Sequence, residues 1–220
     1  LSDKFCRTGS GDKPPMPQSA LIRSRSFCPV EKDIEQMHIC LGFPGFGSDE
    51  KGRFPLLVLN NALGGSMSSR LFQKIREEHG MAYSVYSYPT SYADTGYFTL
   101  YAGTGEKQAA KVTELMLEEI ANIRKNGITQ AEFDRSKQQL KGSYILGLES
   151  TSARSSSIGK GELMRGRVDT DEELIGLIEA VTMEDVAEAI QRVTDTSRMA
   201  CSAVGRGRNM DKVRRVFEQA

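Results

Sequence analysis

From residue 34 onward, polar and apolar residues follow patterns that name the elements. Residues 35–43, Glu-Gln-Met-His-Ile-Cys-Leu-Gly-Phe, alternate polar with apolar as a half-buried strand does, and Gly42, Pro44, Gly45 and Gly47 break the run. Leu56, Leu57, Val58, Leu59 and Ala62 then fill a helical stretch that Ser48 is placed to cap and Gly64-Gly65 ends. Pro55 is tolerated there only in the first turn, where a missing N–H costs nothing. A short charged helix with Leu71, Phe72 and Ile75 as its apolar positions follows, with Ser68 or Ser69 as cap and Gly80 at the left-handed stop. Six of the seven tyrosines fall between positions 83 and 101, where strands near 82–89 and 96–102 read as a hairpin. Ala109, Val112, Met116, Ile120 and Ile123 form one helical stripe closed by Asn126-Gly127. Thr129 with Glu132 and Thr170 with Glu173 form capping boxes, and Thr182 with Asp185 imitates one. They open helices near 130–148, 171–180 and 183–193. A further helix is expected around 150–165, a short strand at 199–204 and a last helix from about Asn209. Strands and helices segregated in this way predict an α+β domain, mostly antiparallel sheet with helices packed on one face.

Residues 1–20 carry Gly9, Ser10, Gly11, Pro14, Pro15 and Pro17 without an apolar period. They read as a linker, so the expected division is a linker segment over 1–25 and one domain over 26–220. The chain opens on Leu1 and shows no leader pattern, which is what a fragment of a longer polypeptide would show.

Composition narrows the functions. Lys plus Arg and Asp plus Glu number 29 each, so the net charge is zero. A binder of nucleic acid or of an anionic membrane surface would carry a basic excess. No apolar run approaches the roughly 20 residues that span a bilayer. Cys6, Cys28, Cys40 and Cys201 are scattered without a C-x-x-C pair, which fits reduced thiols in a cytoplasmic protein better than a zinc knot or a disulfide framework.

The candidate chemistry is sparse. A zinc peptidase needs two histidines one helical turn apart and a carboxylate base, and this chain has only His38 and His79. Ile75-Arg76-Glu77-Glu78-His79 matches H-x-x-E-H except that isoleucine replaces the first histidine. His79 then reads as a helix-end residue favoured by the dipole, and His38 as a strand residue. Ser157-Ile158-Gly159-Lys160 fits S-x-x-K but lacks its companion motifs, and Gly103-Thr104-Gly105-Glu106-Lys107 lacks the loop length of a phosphate cradle. Arg76 and Tyr83 remain. They read either as an exposed helix arginine and a strand tyrosine, or as two donors aimed at a substrate carbonyl or its oxyanion.

Residues 35–42, 63–85, 127–133, 137–143, 148–151 and 181–186, in that order, resemble the C-terminal half of insulinase-type zinc metallopeptidases, the group that includes pitrilysin and the mitochondrial processing peptidase. The resemblance covers roughly residues 30–205. It implies an insulinase-like half-domain on the substrate side of a two-jawed metallopeptidase, with the zinc ligands on the other jaw. Arg76 and Tyr83 have the seven-residue spacing of the pair that touches substrate near the scissile carbonyl in that family. Leu63-Gly64-Gly65-Ser66 falls where a longer glycine-rich substrate loop lies, which assigns Gly64, Gly65 and Ser66 to substrate binding. No metal site is expected in this chain. Zinc is expected from a preceding half of the same polypeptide or from a homologous subunit, and homo-oligomers are compatible with the family. The chain alone is then inactive and completes catalysis on peptides only with its zinc-bearing partner. The alternative the resemblance leaves open is a non-catalytic scaffold subunit of the same fold.

Overall fold

The computed structural model describes residues 24–220. The expected linker, and Cys6 within it, lie outside the described residues apart from Ser24 and Arg25. Five strands form one sheet: β1 (Ser26–Glu31), β2 (Gln36–Pro44), β3 (Ala82–Ser91), β4 (Gly96–Gly105) and β5 (Ala200–Gly205), in the order β1-β5-β2-β4-β3. All neighbours run antiparallel except β1 and β5. Among the described residues seven α-helices accompany it: α1 (Arg53–Leu63), α2 (Ala109–Asn126), α3 (Gln130–Gly147), α4 (Thr151–Arg165), α5 (Asp171–Ala180), α6 (Met183–Val193) and α7 (Met210–Gln219). Between α1 and β3 lies a π-helical segment, Phe72–Glu78.

The core forms on one face of the sheet. Met37, Ile39, Leu41 and Phe43, alternate residues of β2, are at most 1% exposed, while His38, Cys40 and Gly42 between them face the open side half-buried. The helical stripe Ala109, Val112, Met116, Ile120 and Ile123 is fully buried against this layer, as its spacing predicts. Every one of these side chains is worth about 1.5–3 kcal/mol when removed from water, alanine less. All three threonine caps form complete boxes, including Thr182 with Asp185. No helix among the described residues is long and apolar enough to cross a membrane.

Three expectations are corrected. β1 has no counterpart in the hydrophobic pattern, because only Phe27 of its residues is even half-buried. It is an edge strand on which Pro29 is tolerated, and Phe27 holds it down by packing on Phe217 of α7 at 5.8 Å. Ser48 does not cap α1. Gly52 holds that position without a side-chain bond, and Pro55 falls in the first turn as required. Neither Ser68 nor Ser69 caps the next helix. The Ser69 hydroxyl instead donates to the Ser66 carbonyl at 2.5 Å and is wholly buried.

Candidate functional site

The corner where the π-helical segment meets β3 carries Arg76 and Tyr83, and three local features bring them together. The segment's last turns close with Gly80 N–H donating to the Arg76 carbonyl (3.1 Å) and Met81 N–H to the Ile75 carbonyl (3.0 Å). Gly80 takes φ +59°, the left-handed turn that glycine adopts without a steric penalty. β3 then opens on a bulge: Ala82 pairs with Thr104 and Ser84 with Gly103, so Tyr83 is the extra residue. Such a bulge re-aims one side chain without breaking the strand. Ala82 and Val85 can thus both face the core, while Tyr83 is 74% exposed. The Thr104 hydroxyl, donating to the Met81 carbonyl at 2.5 Å, anchors the turn to β4.

The outcome is a stacked pair. The Arg76 guanidinium carbon lies 4.9 Å from the centre of the Phe72 ring and 5.9 Å from that of Tyr83, within the range of cation–π attraction. Arg76 is itself exposed, so its five N–H donors and the Tyr83 hydroxyl stand on one solvent-facing corner. Phe72, four residues before Arg76, is a third member that the spacing argument overlooked.

The predicted loop sits further along the same strand. Gly64 and Gly65 N–H both donate to the Asn60 carbonyl (2.9 and 2.7 Å), and the Gly64 carbonyl accepts from Ser87 N–H at 3.1 Å. A Cβ on Gly64 would stand 2.5 Å from the Ser87 nitrogen, so packing alone demands glycine there. Ser66 Oγ donates to the Asn61 carbonyl at 3.3 Å. The loop therefore lies against β3 at Ser87, roughly 13 Å along the strand from Tyr83. It occupies the free edge of β3, where Pro89 offers no N–H either.

Polar contacts brace the corner from behind. Arg70 makes a bidentate pair with Glu132 (Nε to Oε1 2.6 Å, Nη2 to Oε2 2.7 Å) and donates to the Gly127 carbonyl at 3.1 Å. The guanidinium bonds hold the Glu132 carboxyl far down, from 4.5 to about 2, and the carboxylate in turn raises the Arg70 pKa. Lys74 pairs with Glu119 (2.9 Å) and Glu118 (3.1 Å) of α2; burial works against its charge, but the carboxylates prevail and raise its pKa. Hydrophobic periodicity did not disclose these partners. The sequence pattern marks Glu132 only as the cap partner of Thr129.

The residues present do not fit zinc. His79 donates its Nδ1 proton to the Lys74 carbonyl at 2.7 Å, and the position one turn before it is Ile75, fully buried in the core. His38 sits on the open sheet face, 2.6 Å from the Tyr101 hydroxyl. Among the described residues no group of three or more His, Cys, Asp or Glu side chains is arranged to hold a metal ion. Ser157 and Lys160 lie exposed on α4. The hollow of 610 Å³ between α3, α4 and residues 168–172 contains none of the expected site residues.

The family model described as "Peptidase M16 inactive domain" matches residues 4–140. The chain belongs to the M16 peptidase family. It is 45% identical over 180 residues, 82% of its length, to the Bacillus subtilis (strain 168) protein called "Uncharacterized zinc protease YmxG", and that stretch is 44% of the relative. A Streptomyces coelicolor protein, also called an uncharacterized zinc protease, is 41% identical over 80% of this chain and 38% of its own length. The chain thus spans less than half the length of these M16 relatives. Among solved structures, an M16 inactive domain from Pseudomonas fluorescens superposes with a TM-score of 0.74 at 24% identity, over 83% of this chain and 44% of that one. A chain of complex III2 from Candida albicans gives 0.81 at 24% identity over 95% and 52%. At such identity these two establish the fold, α+β with one sheet and helices on one face, and the M16 resemblance of the sequence stands.

Proposed function

We propose that this chain is the substrate-gripping, zinc-free domain of a peptidase, and that its Arg76 guanidinium and Tyr83 hydroxyl donate hydrogen bonds to the carbonyl oxygen of the peptide bond being cleaved. The observation that carries this reading is the stacked, solvent-facing Arg76–Tyr83 pair on a braced corner. Both groups are donors, and the planar guanidinium presents its N–H groups as a fork. Negative charge gathers on that oxygen as a nucleophile attacks, so donors fixed there favour the transition state over the ground state. Tyr83 on its bulge and Arg76 on its helix need little reorganisation to do this. Gly64, Gly65 and Ser66 border the approach along β3.

The attacking group and any zinc belong to the part of the longer protein outside this chain, or to a homologous subunit, as the names and lengths of the relatives support. The test is turnover of a peptide by the full-length protein carrying Arg76→Ala. A loss of about 10²–10³-fold is expected, the cost of one oxyanion donor, with bound zinc unchanged. Wild-type turnover would remove the role, and a full-length protein that binds no zinc would favour the scaffold reading.

A further inference from the structure

A π helix closes i→i+5 hydrogen bonds, so its register is shifted by one residue from that of an α-helix. Slipping back by one residue would swing Arg76 about 100° around the axis and off the Tyr83 ring. The segment Phe72–Glu78 runs on directly from the helical residues Arg70 and Leu71, with no side-chain cap at Leu71. Buried Leu71 and Ile75 hold it on its core side, and its outer side is held by the polar contacts of the flanking residues.

Arg70 is placed for that task. We propose that Arg70, through its fork onto Glu132, is the positioning residue that holds Arg76 in line with Tyr83. This role rests on the function proposed above for Arg76. The Arg70 fork crosses 62 residues of sequence to the first turn of α3, and both side chains are largely shielded, at 18% and 14% exposure. The receiving carboxylate cannot swing, because Oε2 also accepts from Thr129 N–H (2.7 Å) and from the Thr129 hydroxyl (2.9 Å). The third bond, to the Gly127 carbonyl, relies on the turn at Gly127, whose φ is +69°. Two parallel bonds fix the plane of the guanidinium as well as its distance. Lys74 adds a second strut, to Glu118 and Glu119 of α2, two residues before Arg76. The Lys111–Glu114 and Arg206–Asp33 pairs, by contrast, have side chains at least 47% exposed and tie no helix to the site.

The experiment is steady-state kinetics of the full-length protein with Arg70→Gln, Glu132→Gln, Arg76→Ala and the pair Arg70→Gln/Arg76→Ala, with zinc content measured for each. Arg70→Gln is expected to lower kcat about 10- to 100-fold, the scale of an ångström-sized misplacement, with KM nearly unchanged. The pair is expected to be no worse than Arg76→Ala alone, since a group acting only through Arg76 has nothing left to position. Glu132→Gln keeps an acceptor for the Thr129 cap but loses the charged fork, so it carries the same test should Arg70→Gln fold poorly. Wild-type kcat in Arg70→Gln beside an impaired Arg76→Ala would overturn the positioning role alone. So would a loss that adds in full to that of Arg76→Ala. Wild-type turnover in Arg76→Ala would overturn the underlying function first, and this role with it.

Discussion

The corner around Arg76 and the helix α4 are built on opposite terms. At the corner, Ile75 is fully buried, the flanking turns are closed by backbone bonds, and Arg70 and Lys74 reach two different helices. In α4, Gly161 is buried and every other described residue is not; Ile158 is 50% and Leu163 88% exposed. Its composition is poor for a helix, with Ser152, Ser155, Ser156, Ser157, Gly159 and Gly161. A Ser150 cap and ion pairs from Arg154 to Asp171 and from Arg165 to Asp169 hold it in place. The contrast teaches where this fold invests its order. Rigidity is concentrated under two exposed donors, and a whole helix elsewhere is left with almost no apolar anchor.

Substitutions sharpen the contrast, beginning with the largest effect on stability. Phe98→Ala in β4, at a side chain fully removed from solvent, is expected to cost about 3–5 kcal/mol in urea unfolding through lost burial and a cavity. Next comes acid. The Glu132 carboxyl is held below its unfolded value, from 4.5 to about 2, so its contribution of about 3 kcal/mol is complete above pH 4.5 and is lost as pH falls through about 2. Unfolding midpoints measured from pH 5 to pH 2 should therefore fall less steeply in Glu132→Gln than in the wild type. An identical slope would show that the fork does not brace the corner. Gly64→Ala must push β3 away at Ser87 and is expected to cost about 1–3 kcal/mol. Leu163→Ala on α4 should change stability by less than about 0.5 kcal/mol. A large loss there would mean that α4 is as firmly held as the corner.

The sequence was read well where one rule acted alone. Alternation in β2, the stripe in α2 and three threonine boxes each reflect a local requirement, and each element appears where its residues place it. Arg76 and Tyr83 were paired by spacing and family likeness, and the fold sets them side by side. What escaped reading depended on distant partners. β1 shows no alternation because its anchor, Phe217, lies at the other end of the chain. The bulge at Tyr83 reconciles core-facing Ala82 and Val85 with an outward tyrosine. No local pattern discloses that Arg70 meets Glu132. The serine caps failed for a related reason: Ser69 was drawn inward to the Ser66 carbonyl.

The most direct test of the central claim is peptide hydrolysis by the full-length protein carrying Tyr83→Phe. That change keeps the ring against Arg76 and removes only the hydroxyl. A fall in kcat of about 10²-fold or more, with zinc content and melting temperature unchanged, is the expected result. Turnover equal to that of the wild type would contradict it.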